Sequence, residues 1–312
     1  MVFFCMFKNC KYLVKVPVLP ATTLADYCYS NMFYGCTSLT TVPSNLLPAT
    51  TLASSCYQSM FYGCTSLTTV PNLPATTLAT SCYYYMFYGC TSLTTVPNLP
   101  ATTLARYCYQ YMFYGCKSLT TVPNNLLPAT TLATSCYSNM FYGCTSLTTV
   151  PNLPAKTLAD SCYYCMFDGC SSLTTVPSNL LPAKTLADSC YNSMFEGCTL
   201  LTTIPDLPAT KLTERCYYNM FYNCTSLVET PAGWYLPAQT TATNSCSNMF
   251  SYCYKLQKMA VAYSGAITAS HWRNFLYNVS KTGTFYYSKN QTEENIQSIV
   301  PSGWTLVQST AW

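Results

Sequence analysis

A Met-Phe pair recurs through most of the chain, beginning at Met6, Met32, Met60, Met86, Met112, Met140, Met166, Met194, Met220 and Met249. The steps between pairs are 26, 28, 26, 26, 28, 26, 28, 26 and 29 residues. These pairs take ten of the 12 methionines and ten of the 14 phenylalanines, so the large apolar residues are allotted to one slot per unit. A unit this short cannot bury its apolar face alone. Stacked neighbours must share one core, which is the physical definition of a repeat solenoid.

The unit starting at Leu78 reads L-A-T-S-C-Y-Y-Y-M-F-Y-G-C-T-S-L-T-T-V-P-N-L-P-A-T-T. Leu78, Cys82, Met86 and Cys90 are spaced by four, as are Ala79, Tyr83 and Phe87. This two-residue-wide stripe predicts a helix of about three turns, with Thr76 or Thr77 as N-cap. Gly89 stands where that helix should stop. In the units from Met6 to Met220 its equivalents are glycine, or asparagine at Asn9 and Asn223, as a positive-φ stop requires. Leu93-Thr94-Thr95-Val96 then predicts a short strand, closed by Pro97 and Pro100. The alternation of 26 and 28 residues lies in one loop. Short units carry P-N-L-P (Pro71–Pro74), and long ones P-S-N-L-L-P (Pro43–Pro48) or P-N-N-L-L-P (Pro123–Pro128).

The pattern F-x-x-C-x-x-L-x-x-V…L-P…L-x-x-x-C-Y-x-x-M-F resembles the BspA-like leucine-rich-repeat family of bacterial surface proteins, with phage-encoded relatives, over roughly residues 1–261. The chain departs from that pattern where Met-Phe replaces Ala-Phe and where Cys or Leu replaces Ile. The resemblance implies cell-surface attachment or adhesion through variable partners. The expected fold is an α/β repeat solenoid: a leucine-rich-repeat-like right-handed coil of about ten units of 26–28 residues. It spans residues 1–263 and is followed by a small α+β capping module at 264–312. Within that module Thr268–Leu276 predicts a short helix, and Thr284–Tyr287 and Trp304–Val307 predict strands. No cap precedes Met6. Either the array continues beyond it, or Met1–Cys10 docks on something.

Composition excludes several functions. Charged residues are 8% of the chain and the net charge is +4, with no block of basic residues, so a nucleic-acid partner is not expected. No run of about 18 apolar residues exists, so no membrane span is expected. No basic n-region marks a signal peptide at Met1–Cys5. His271 is the one histidine. No Gly-rich phosphate loop, Ser-His-Asp set or HExxH motif occurs, so the chain reads as non-enzymatic, with no cofactor and no metal.

The 21 cysteines fall mainly in two registers, four before and four after each Met, and read as small buried hydrophobes. Parallel Cβ directions in such ladders argue against disulfides. Cys162 and Cys165 form a lone CxxC. The acids Asp160, Asp168, Asp188, Glu196, Asp206 and Glu214 cluster late. Paired carboxylates could serve glycoside hydrolysis or bind Ca²⁺, but Lys156–Asp160 and Lys184–Asp188 read as i,i+4 helix pairs on a solvated face. The Thr-Thr ladder (Thr40/Thr41, Thr68/Thr69, Thr94/Thr95 and onward) reads as strand surface or as a flat ice-binding array.

Two slots on the helix face vary and are rich in tyrosine, a residue that suits adaptable binding surfaces. Tyr34, Tyr62, Tyr88, Tyr114 and Tyr142 should align into a row, with Tyr85 and Tyr111 beside it and Asp168 and Glu196 breaking it. These seven tyrosines are the candidate ligand-binding residues, for a protein or glycan partner. The expected location is extracellular, on a cell or virion surface. The alternative function is a self-assembling, filament-forming protein that associates head to tail through its N-terminal coil.

Overall fold

The computed structural model describes residues 3–231, 234, 236, 242–261, 272–289 and 291–309. The chain divides into two compact units, Met1–Pro154 and Ala155–Trp312. The same local architecture builds both.

Its basic element is a string of four-residue turns, where an α-helix was expected. In the coil at Leu78–Cys90, the N–H groups of Cys82, Tyr84, Met86, Tyr88 and Cys90 donate to carbonyls three residues back, at 3.1–3.3 Å. The alternate N–H groups leave the coil. Those of Ser81, Tyr83, Tyr85, Phe87 and Gly89 donate to the carbonyls of Arg106, Cys108, Gln110, Met112 and Tyr114 in the next coil, at 2.7–3.1 Å. Every fourth residue is left-handed: Ser81 at φ 54°, Tyr85 at 58° and Gly89 at 67°. A left-handed residue costs roughly 1–2 kcal/mol when it is not glycine. Each turn offsets that cost by directing main-chain donors into the neighbouring coil, which leaves few polar groups unpaired. The second unit repeats the design. There Ser161, Tyr163, Cys165, Phe167 and Gly169 donate to Asp188, Cys190, Asn192, Met194 and Glu196 at 2.8–3.0 Å.

A four-residue turn sends side chains outward and inward in pairs. Cys82, Tyr83, Met86, Phe87 and Cys90 are buried, and Tyr84, Tyr85, Tyr88 and Gly89 are half-exposed. The buried stripe is the expected one, although the helix that was to carry it does not form. The expected Lys156–Asp160 and Lys184–Asp188 pairs fail with it, because their helical spacing is absent. Asp160 and Asp188 instead accept the main-chain N–H groups of Asp188 and Glu214, at 3.2 and 3.1 Å.

Buried side chains stack slot upon slot. Phe33, Phe61, Phe87 and Phe113 stack at 5.5–5.6 Å between centroids, and Tyr57, Tyr83 and Tyr109 at 5.6–5.9 Å. All the cysteines stand as free thiols, and all but Cys5 and Cys10 are buried. They are more than filler. The Cys64, Cys90, Cys116 and Cys144 thiols donate to the Phe33, Phe61, Phe87 and Phe113 carbonyls of the preceding coil, at 3.1–3.3 Å.

Among the described residues a sheet forms only in the second unit. Strands β1 (Lys258–Val261), β2 (Gly283–Ser288) and β3 (Trp304–Ser309) form a parallel sheet in that order. A five-residue helix, α1 (Glu293–Gln297), precedes β3. The strands expected at Thr284–Tyr287 and Trp304–Val307 lie within β2 and β3. The strand expected at Leu93–Val96 does not pair into a sheet. Nearby, isolated parallel bridges join Thr51 to Thr77 and Thr77 to Thr103. The threonine hydroxyls stitch coils together: Thr68 Oγ1 donates to the Thr40 carbonyl at 3.0 Å, and Thr69 Oγ1 accepts the Val42 N–H at 3.1 Å.

Residues 268–271 of the expected C-terminal helix, His271 included, lie outside the described residues. Trp272–Asn278 is a further string of turns, left-handed at Asn274 and Asn278. Its carbonyls at Arg273, Phe275 and Tyr277 accept the N–H groups of Asn248, Phe250 and Tyr252.

Candidate functional site

The five tyrosines expected to align do so within the first unit. Tyr34–Tyr62, Tyr62–Tyr88, Tyr88–Tyr114 and Tyr114–Tyr142 stack at 4.4–4.5 Å with interplanar angles of 2–8°. The main chain sets this spacing. Each ring sits on the residue before a left-handed glycine. The N–H groups of Gly35, Gly63, Gly89 and Gly115 donate to the carbonyls of Tyr62, Tyr88, Tyr114 and Tyr142, each at 2.7 Å. The column is therefore organised before any ligand arrives.

Tyr85 and Tyr111 occupy the left-handed position of the preceding turn. Their rings stack on each other at 4.6 Å. Tyr85 also meets Tyr88 edge-on at 5.4 Å, and Tyr111 lies tilted 5.9 Å from Tyr114. All seven candidate tyrosines are half-exposed and form one aromatic surface.

Two further residues belong to it. Tyr84 packs edge-on against Tyr85 at 4.1 Å. Lys8 ends the column with its ammonium 4.8 Å from the Tyr34 ring centre, a cation–π contact. Lys8 lies 26 residues before Tyr34, in the same slot, so the period alone would have placed it there.

The stacking changes what the surface can do. Rings 4.4–4.5 Å apart and nearly parallel occupy each other's faces, so a ligand meets edges and hydroxyls. The hydroxyls of successive rings follow one another along the column's edge. Burial, then the neighbouring phenols, push the Tyr62 hydroxyl up to about 12. Tyr62 therefore keeps its proton at neutral pH.

In the second unit the same slot carries Asp168 and Glu196. Burial first, and then the Glu196 carboxylate, raise the Asp168 carboxyl to about 7, and a hydrogen bond from Cys165 partly opposes this. Asn219 Nδ2 donates to Glu196 Oε2 at 3.2 Å, and Asn248 Nδ2 to Asn219 Oδ1 at 3.1 Å. Among the described residues no three His, Cys, Asp or Glu side chains group as a metal site. No helix among them is long and apolar enough to cross a membrane.

Comparison with known proteins places this geometry in a family. No curated protein matches the chain. Among solved structures, a chain in the crystal structure of a TLR13–ssRNA13 complex is similar at 16% identity, with a TM-score of 0.30, over 89% of this chain and 35% of that one. This chain thus spans about a third of that chain's length. The model of the BspA type leucine rich repeat region (6 copies) matches residues 4–110, 28–174, 80–230, 134–271 and 188–293. Those overlapping matches take in nearly every coil described above, and the chain belongs to the BspA-type leucine-rich-repeat family.

Proposed function

We propose that the chain is a non-enzymatic recognition scaffold, displayed on a cell or virion surface, that holds a protein or glycan ligand against its tyrosine surface. The observation that carries this reading is the Tyr34–Tyr142 column: five half-exposed rings, held by the main chain at one spacing, on a repeat whose family suggests a binding or adhesion scaffold. Tyrosine offers a large amphipathic contact at small entropic cost. Here the contact is made by ring edges and hydroxyls. The threonine face is the weaker candidate, since its hydroxyls are engaged between coils. Residues 1–263 would form the scaffold and 264–312 its terminal module.

The test is a protein and glycan array screen with the full chain. It is repeated with Tyr88, Tyr114 and Tyr142 together replaced by Ser, and separately with the Thr40–Thr121 pairs replaced by Val. Loss of attachment with the first variant supports the reading. Loss with the second alone places binding on the threonine face and overturns it.

A further inference from the structure

Formal charge is divided unevenly between the two compact units. Residues 1–154 hold Lys8, Lys11, Lys15, Arg106 and Lys117 against one acid, Asp26, which gives 5 − 1 = +4. The whole chain carries 14 basic and 10 acidic residues, so the remaining 9 and 9 in residues 155–312 cancel. All of the net charge therefore lies on the unit that bears the tyrosine column. Its single carboxylate is engaged as well: Asp26 Oδ1 accepts the Ser54 N–H at 2.9 Å. Lys8 stands at the end of the column itself. Arg106 lies on the same outward face of the turns, with its guanidinium 4.6 Å from the Tyr107 ring centre.

The hydroxyl row sets a second condition. The column presents a row of hydroxyls along its edge, each able to donate to a neutral or an anionic ligand oxygen. A charged oxygen does better, because a hydrogen bond to an anion is roughly twice as strong as one between neutral groups. Phenol protons can turn about C–O toward an acceptor beside the row. The ring edges, which carry the positive end of the aromatic quadrupole, face the same way.

The third condition is negative. Single-stranded nucleic acids bind by stacking bases on aromatic faces along a strongly basic groove. In this column the faces are spent on each other, and five cations spread over the unit do not make such a groove.

From these three observations we infer that the tyrosine column takes an acidic polysaccharide, bearing carboxylate or sulfate groups, edge-on through its row of phenolic hydroxyls. This inference rests on the tyrosine surface being the binding face and names its ligand class. The row runs over four steps of 4.4–4.5 Å, so an extended polymer is the occupant it fits.

The experiment immobilises the full chain and measures binding of polygalacturonate, heparin, neutral dextran and poly-dT. The probes are tested on the wild type, on a Tyr62→Phe/Tyr88→Phe/Tyr114→Phe variant and on a Tyr62→Ser/Tyr88→Ser/Tyr114→Ser variant. The Phe variant keeps the stacks and removes the hydroxyls. Binding of polygalacturonate or heparin but not dextran, weakened at least tenfold in both variants, is the expected result. Dextran binding as tightly as the acidic polymers, with loss only in the Ser variant, overturns the inference and leaves the tyrosine surface standing. Poly-dT binding tighter than either polysaccharide overturns the inference in favour of nucleic acid. Acidic-polymer binding unchanged in both variants overturns the inference and the binding face together. If no probe binds, an acidic-polysaccharide ligand is ruled out, while the array screen still decides the binding face.

Discussion

Asp168→Asn should stabilise the protein at pH 8 and leave it nearly unchanged at pH 4. The carboxyl is raised to about 7 in the folded chain, from an ordinary 3.8. Between those pH values the folded state holds a proton that the unfolded state has released. Stability therefore falls as pH rises through that window, and this contribution is fully lost above about pH 7. Three pH units correspond to roughly 4 kcal/mol at most. Asp168 is only half-buried and shares its site with Glu196, so solvent screening reduces the expected effect to about 1–2 kcal/mol. Asparagine keeps the shape, removes the charge and can donate to Glu196. Urea unfolding of both proteins at pH 4, 6 and 8 gives the difference directly, and the variant should gain its advantage progressively. A variant less stable than wild type at pH 8, or a difference independent of pH, would refute the argument.

Met140→Asp or Phe141→Asp should unfold neighbouring coils together, because both side chains are fully buried and an unpaired buried charge is severely costly; a melt within a degree or two of wild type would show those slots exposed. Gly115→Ala should cost about 1–2 kcal/mol from backbone strain alone, since its φ is 67° and nothing lies within 4 Å of an added Cβ; Gly115→Asn, by chemical denaturation, should cost less. Thiol titration of the native chain should label Cys10 and, more slowly, Cys5, with the rest appearing only in denaturant, because burial raises thiols such as Cys144 to about 12.

Much of this architecture is legible in the sequence. The period, the buried stripe, the glycine stops and the tyrosine row all follow from residue identities. The turn geometry was missed, although the sequence contains its signal. In an α-helix a spacing of four advances the face by about 40° each time, so Leu78, Cys82, Met86 and Cys90 would drift off one stripe. Constant fours over that run fit a four-residue turn better. The left-handed positions obscured this, because Tyr85, Tyr111 and Arg215 are residue types that rarely adopt that conformation alone. Inter-coil hydrogen bonds hold them there, and those depend on a neighbour one period away. The same reason hides the thiol–carbonyl bonds of the cysteine ladder and the face-to-face closure of the tyrosine column.

The central claim is that a prestacked column meets its ligand with hydroxyls and edges while its ring faces stay closed. The measurement that tests it most directly is attachment of a Tyr88→Phe/Tyr114→Phe/Tyr142→Phe variant to whichever target the array screen returns, beside the matching Ser variant. The account predicts an unchanged melting temperature for the Phe variant and a loss of attachment close to that of the Ser variant. Wild-type attachment by the Phe variant would contradict it, since apolar ring surface would then carry the binding.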